Sequence, residues 1–283
     1  MTALAIATSA AQMSDIVAGW KSQGESVAFV PTMGSLHEGH GALIQRASEL
    51  ADRVVVSIFV NPLQFGKGED FDSYPRDWEA DQAFLRNSAV DVLFAPSVDE
   101  IYPGSQEPTV LAGPVGDTFE GASRPGHFDG VLTVVKRLFA IVSPDYALFG
   151  RKDAQQLFLV ESMVRSEGLP ISIVPIETVR APDGLALSSR NAYLSDDERA
   201  RARVIPEALD DAQNTPTLSA ALAVVRGRLA ATPGVVIDYV AGVDPDTYLE
   251  LDEGSRAPEA TLILAVRVGN TRLIDNRRLQ FPQ

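Results

Sequence analysis

Three histidines occur in the 283 residues, and two of them stand three apart in Pro31-Thr32-Met33-Gly34-Ser35-Leu36-His37-Glu38-Gly39-His40. If a helix has begun by His37, both imidazoles share its N-terminal face. There they can donate hydrogen bonds to phosphate oxygens as charge builds in a transition state. The run follows an apolar stretch and precedes the helical spacing of Leu43, Ala47 and Leu50. Strand, glycine-bearing turn and helix bring free backbone N–H groups and a positive dipole end to one point, which suits an anion. Two other readings stand beside this one. A metal site would need a third ligand, and the remaining histidine is His127. An ordinary helix cap would need no ligand at all.

Positioning such a turn calls for a sheet. Apolar β-rich runs at 27–31, 54–60, 90–96, 146–150 and 171–179 alternate with helical spacing, including Val131, Val134, Val135, Leu138 and Val142. Short, continuously apolar strands are expected where both faces of a parallel sheet are covered. The expectation is an α/β, Rossmann-like, doubly wound parallel sheet with its ligand at the carboxyl ends of the strands. After Val179 the texture changes. Ser195 before Asp196, Asp197 and Glu198 marks a helix start, a second helix is expected near 218–229, and strands at 235–243, 261–268 and 272–275. The domains are therefore drawn as 1–178 and 179–283, the latter a smaller C-terminal α+β domain.

Gln64 follows the second strand through Asn61-Pro62, a turn-favouring pair that leaves its amide at the sheet's carboxyl edge. Gln156 sits one helical turn from Lys152 and Asp153, after the strand at 146–150, so these groups can converge on one ligand. Read alone, Gln64 has the lesser reading of a polar surface glutamine, a lone cation such as Lys152 is usually a solvated surface charge, and Leu187-Ser188-Ser189-Arg190-Asn191 reads first as a polar turn.

Composition removes several classes. With no cysteine, disulfides, thiolate metal sites and cysteine nucleophiles are excluded. A net charge of −14 argues against a protein that holds long nucleic acid. No apolar run reaches the length of a membrane span, and residues 1–11 lack the basic start of a signal peptide. The expectation is a cytoplasmic protein with neither nucleic acid nor membrane as partner.

The tetrad His37-x-Gly39-His40 is the signature of the nucleotidyltransferase superfamily. Its company narrows it. Val30-Pro31-Thr32-Met33-Gly34, Ser57-Ile58-Phe59-Val60-Asn61-Pro62-Leu63-Gln64-Phe65, Tyr74-Pro75-Arg76, Arg124-Pro125-Gly126-His127-Phe128, Lys152-Asp153-x-Gln155-Gln156 and Leu187 to Asn191 occur in this order and closely resemble the pantothenate synthetase family. The resemblance is strong from about residue 27 to 195 and weaker beyond.

It implies an ATP-dependent condensation of pantoate with β-alanine through a pantoyl-adenylate, with Mg2+ accompanying ATP, in a homodimer. Met33, Gly34, Ser35, Leu36, His37, Glu38, Gly39 and His40 match the ATP-binding turn, His40 being the proton donor and His37 its phosphate-binding companion. Gly150, Arg151, Lys152, Asp153, Val179, Leu187, Ser188, Ser189 and Arg190 match the remainder of the ATP site. Lys152, Ser188, Ser189 and Arg190 face the triphosphate in that family. Catalysis would thus fall to His40, His37, Lys152 and Arg190. Gln64 and Gln156 match glutamines that bind pantoate, Gln64 beside the β-alanine site. Asp81 and Asp153 are the acids considered for Mg2+ or ribose, Asp81 being the candidate metal ligand. Arg124 and His127 are assigned to a flap near the site, and the C-terminal domain is expected to close over the ATP.

Two residues depart from the family pattern: Arg151, where Glu is common, and Gly41, where an apolar residue usually follows His40. The rival functions are a nucleotidyltransferase that releases its nucleotide conjugate and a nucleotide-binding regulator without catalysis. A tRNA synthetase is disfavoured by the acidic charge.

Overall fold

The computed structural model describes residues 4–66, 68, 69 and 71–282. Val27–Thr32 is apolar on both faces and almost wholly buried, which a parallel strand covered on both sides requires. With Ala5–Ala7 as β1, it is β2 of a six-stranded parallel sheet completed by β3 (Arg53–Ile58), β4 (Val92–Phe94), β5 (Tyr146–Gly150) and β6 (Ser172–Ile176), in the order β1-β4-β3-β2-β5-β6.

The chain moves outward from β2 through β3 to β4, which pairs with the edge strand β1, and through β5 to β6 at the other edge. The strand order therefore reverses between β2 and β5, the point at which open α/β sheets bind ligands. The ladder there is short. β2 pairs β3 over six residues but β5 only at Ala28 and Phe29, so the carboxyl ends of β2 and β5 are not joined to each other.

Helices α1 (Ala10–Ser22), α2 (Glu38–Leu50) and α3 (Trp78–Arg86) are followed by three short turns, α4 (Val98–Ile101), α5 (Gly113–Gly116) and α6 (Glu120–Ser123), then by α7 (His127–Val142) and α8 (Ala154–Ser166). One core joins Phe29, Phe94, Leu138 and Phe149 with α1 and α7, and a second joins Val30, Ile44, Leu85 and Leu148 with α2 and α3. Each fully buried Leu or Phe contributes roughly 1.5–3 kcal/mol. β1 and α1 left no usable trace in the sequence. β1 has three residues, two of them exposed, and α1 buries only Met13 and Val17.

Two compact units result: Met1–Arg151 with Gln155–Glu177, and Lys152–Ala154 with Thr178–Gln283. In the second, α9 (Asp196–Ala202) opens with Ser195 and Glu198 in a reciprocal cap. α10 (Val204–Ala212) and α11 (Leu218–Ala230) supply Leu209, Leu218 and Leu222 to a core shared with an antiparallel sheet of β7 (Val235–Val243), β8 (Glu259–Val268) and β9 (Thr271–Gln280). β9 runs past the expected end at 275. Asp275 occupies an inward position of its alternation, so a buried acid hides the period that Thr271, Leu273 and Leu279 would otherwise display. Its carboxylate takes the Arg180 guanidinium at 2.6 and 2.9 Å.

Candidate active site

The His37–His40 turn leaves the carboxyl end of β2, at the reversal of strand order. His37 is the N-cap of α2. Its Nδ1 accepts the Gly39 N–H at 3.1 Å, while His40 Nδ1 accepts the His37 N–H at 3.2 Å. Two imidazoles thus perform the reciprocal capping that Ser and Glu usually perform. An Nδ1 that accepts must carry no proton, so each neutral ring holds its proton on Nε2. The rings stack 4.2 Å apart at 36°. Cap and phosphate donor are therefore compatible: Nδ1 of each ring builds the helix end, and the hydrogen of the neutral ring lies on Nε2.

The backbone contribution differs from expectation. Gly34 N–H donates to Thr32 Oγ1 at 3.2 Å, Ser35 N–H to Asp81 Oδ2 at 2.9 Å, and Leu36 N–H to Asp81 Oδ1 at 2.7 Å. With the His37 and Gly39 N–H groups closing the cap, these five N–H groups are taken up by Thr32, Asp81 and the two imidazoles. Both carboxylate oxygens of Asp81 accept turn N–H groups, a structural use that stands beside the metal ligation expected of it. Among the described residues no cluster of three or more His, Asp or Glu is arranged to hold a metal ion.

Gln64 ends a single 3-10 turn, Pro62–Gln64, capped by Asn61. Asn61, 1% exposed, is fixed from both ends. Its Oδ1 accepts from Leu63 N–H at 3.2 Å and Tyr102 O–H at 2.7 Å. Its Nδ2 donates to Gly130 O at 3.1 Å and Gln64 Oε1 at 3.2 Å. Because the Leu63 N–H can only donate and the Gly130 carbonyl can only accept, the Asn61 amide has one orientation. Gln64 must then offer Oε1 to Asn61, which directs its Nε2 away from Asn61 and onto the weak acceptor Met33 Sδ at 2.9 Å. Burial pushes the Tyr102 phenol well above its ordinary pKa and keeps it a donor.

The Gln64 carbonyl is held as well. It accepts from His127 Nδ1 at 2.8 Å and Arg124 Nη2 at 3.2 Å, while Arg124 Nη1 stands 3.0 Å from His127 Nε2. A donating Nδ1 and an accepting Nε2 define the neutral His127 tautomer. Arg124 also chelates Glu69 at 2.6 and 3.0 Å. Burial alone would raise the Glu69 carboxyl, but the Arg124 hydrogen bonds prevail and hold it below its ordinary value. The pair assigned to a flap thus ties Gln64 and Glu69 to the start of α7.

Of the two neighbouring glutamines, Gln155 is buried. Its amide donates to Val115 O at 2.7 Å and Thr118 O at 2.9 Å and accepts from Glu120 N–H at 3.2 Å. Gln156 is half-buried and makes no hydrogen bond with its amide among the described residues. The two departures have local explanations. Arg151 pairs with Glu177 at 2.8 Å. At Gly41 a Cβ would come 3.3 Å from Phe84 Cζ, so the Phe84 ring fills the space that an apolar side chain would take.

In the second unit, Val179 O accepts the Leu187 N–H at 2.9 Å and Ala181 N–H donates to Leu185 O at 2.8 Å, which brings Val179 beside Leu187. Ser188 caps the 3-10 turn Ser189–Tyr193, its Oγ accepting the Arg190 N–H at 3.3 Å. Asn191 Nδ2 donates to Ala186 O at 3.0 Å. Lys152 Nζ lies 3.7 Å from Asp153, and the Lys152 carbonyl accepts from Asn276 Nδ2 at 2.9 Å. Motif reading passed over Asn61, Tyr102, Glu69 and Gly130. Their only trace was the turn pair Asn61-Pro62.

Comparisons with known proteins place the chain in a family. The pantoate–β-alanine ligase family model matches residues 5–278. The pantothenate synthetase of Acidothermus cellulolyticus is 53% identical over 262 residues, covering 88% of this chain and 84% of its own. That of Leifsonia xyli is 54% identical, covering 90% of each. The crystal structure of pantothenate synthetase from Thermus thermophilus superposes with a TM-score of 0.90 at 46% identity, covering 99% of this chain and 100% of that one. The Francisella tularensis pantoate–β-alanine ligase, solved with β-γ ATP and β-alanine, superposes with a TM-score of 0.79 at 35% identity, covering 97% of each chain. With matches that span nearly its whole length, the chain belongs to the pantoate–β-alanine ligase family, the pantothenate synthetases.

Proposed function

We propose that the protein condenses pantoate with β-alanine at the expense of ATP, through a bound pantoyl-adenylate. Family membership supports the overall ligation. The observation that carries the chemical route is the double histidine cap at the end of β2, in which Nδ1 of each ring is committed to the backbone and the ring proton therefore lies on Nε2.

In the first step a pantoate carboxylate oxygen attacks the α-phosphorus of ATP. The bond to the bridging oxygen breaks, and pyrophosphate leaves with the electron pair. Hydrogen bonds from His37 and His40 Nε2 stabilise the charge that develops on phosphate oxygens. Gln64 Nε2, directed away from Asn61 and held only by the weak acceptor Met33 Sδ, donates to a pantoate oxygen, and Gln156 supplies a second neutral amide. Neutral partners orient the carboxylate without a tight ion pair that would blunt its attack. In the second step the neutral amine of β-alanine attacks the acyl carbon and loses a proton, and AMP departs with the acyl oxygen. Positioning and electrostatics carry both steps, since no side chain is required as a covalent nucleophile.

Lys152, Ser188, Ser189 and Arg190 belong to the second unit. Their proposed role on the β- and γ-phosphates rests on the motifs they share with the family. Magnesium enters as MgATP, bound chiefly through substrate phosphates, as is usual for this ion. The homodimeric state is likewise proposed from the resemblance. The test is the fate of a heavy-oxygen label placed in the pantoate carboxylate. Label recovered in the phosphate of AMP supports the adenylate. Label recovered in inorganic phosphate, with ADP formed, overturns it.

A further inference from the structure

We propose that Asp81 is the positioning residue of the histidine turn, acting through the backbone of Ser35 and Leu36. The inference rests on the reading that His37 and His40 serve the phosphates. Asp81 is the fourth residue of α3 and is 4% exposed. Its two oxygens divide two N–H groups between them, Leu36 on Oδ1 at 2.7 Å and Ser35 on Oδ2 at 2.9 Å.

What it holds is strained. Gly34 and Ser35 both lie in the left-handed region, with φ of 83° and 52°, and Ser35 carries a Cβ there. Such backbone persists only where its surroundings over-determine it. The fit is close enough that a Cβ on Gly34 would stand 2.8 Å from Asp81 Oδ2 and 3.2 Å from Ile58 Cγ2.

The anchor is itself rigid. Asp77 caps α3 by accepting the Ala80 N–H at 2.9 Å, and Leu85, one turn beyond Asp81, is fully buried in the core. The position of α3 is thus transmitted through one carboxylate to Ser35 and Leu36. The next residue is His37, whose extended N-cap conformation sets both rings. A carboxylate is needed because only it offers two acceptors without a donor. An amide would turn an NH2 group toward one of the two N–H groups.

The experiment compares Asp81→Asn with His40→Ala in the full-length enzyme, measuring pantoate-dependent exchange of labelled pyrophosphate into ATP. Aminolysis of supplied pantoyl-adenylate by β-alanine, the thermal midpoint and a Mg2+ titration accompany it. A displaced turn should lower the exchange kcat of Asp81→Asn by about 10²-fold. The KM for pantoate, the Mg2+ requirement and aminolysis of the supplied adenylate should stay unchanged. Exchange at the wild-type rate in Asp81→Asn beside a crippled His40→Ala overturns the proposal alone, and wild-type exchange in His40→Ala overturns the phosphate reading beneath it. Recovery of Asp81→Asn at raised Mg2+ would make Asp81 a metal ligand and also overturn the proposal. Should Asp81→Asn fail to melt cooperatively, Gly34→Ala decides, because its Cβ displaces the carboxylate while leaving it charged. The same selective loss of exchange is expected there, and full exchange overturns the proposal.

Discussion

Gly130→Ala puts the packing of α7 against the Pro62–Gln64 turn to a quantitative test. A Cβ at residue 130 would lie 2.2 Å from Leu63 O and 2.8 Å from Gln64 N. The turn and helix must separate by roughly 1 Å to reach ordinary contact. Three effects compete. Replacing a mid-helix glycine gains about 1 kcal/mol of helix propensity. Overpacking against backbone costs about 1–3 kcal/mol. Stretching the 3.1 Å bond from Asn61 Nδ2 to Gly130 O costs about 1 kcal/mol more. The net expectation is a loss of about 1–3 kcal/mol. The same movement displaces Gln64, so kcat/KM for pantoate should fall by about 10²-fold. Gly227→Ala in α11, where nothing stands within 4 Å of the added Cβ, is the control and should gain up to about 1 kcal/mol. Denaturant unfolding of both variants, with pantoate titrated at saturating ATP and β-alanine, supplies the numbers. If Gly130→Ala is as stable as Gly227→Ala and keeps full turnover, then Gly130 does not brace Gln64.

Gln155→Ala should cost about 2 kcal/mol or more, since it leaves the Val115 and Thr118 carbonyls and the Glu120 N–H without their amide, whereas Gln156→Ala should raise the KM for pantoate far more than that for ATP at unchanged stability. Paired melting curves and substrate titrations separate the two, and interchanged phenotypes would reverse the assignment. Asp275→Ala strands the Arg180 guanidinium and should destabilise by about 3–5 kcal/mol, while Asp238→Ala, at a more exposed pair with Arg272, should cost about 1 kcal/mol or less. Equal losses in denaturant unfolding would contradict that ranking. Glu69 is held below its ordinary value of 4.5, so its stabilising contribution is complete above that pH and is lost as pH falls beneath it. Unfolding free energy measured against pH should therefore lose part of its acid slope in Glu69→Gln, and an unchanged slope would refute the pairing's role.

What the sequence made legible was governed by local pattern. β2, β5 and β7 announce themselves as apolar runs, and Ser195 with Glu198 announces α9, because neighbours in the chain settle each. The histidine pair was legible in residue type and spacing, but the division of labour between its ring nitrogens was not, since it depends on where the Gly39 and His37 N–H groups point. Long-range partners were silent. Tyr102 reaches Asn61 across 41 residues, Gly130 across 69, and Asp81 reaches Leu36 across 45. No periodicity encodes a carboxylate on one helix that completes a turn before another. Asp81 therefore read only as a candidate metal ligand, and its hold on the Ser35 and Leu36 N–H groups was not legible. β9 was cut short for a related reason, since a buried acid paired with a distant arginine looks like the end of an apolar pattern.

The central claim is that activation of pantoate precedes and is separable from amide formation. Its most direct measurement is pyrophosphate exchange by the complete enzyme with MgATP and pantoate, in the absence of β-alanine. Labelled pyrophosphate should enter ATP with pantoate and not with β-alanine alone, and β-alanine added afterwards should release AMP and pantothenate in equal amounts. Exchange that requires β-alanine, or pantothenate formation without any pantoate-dependent exchange, would contradict the account.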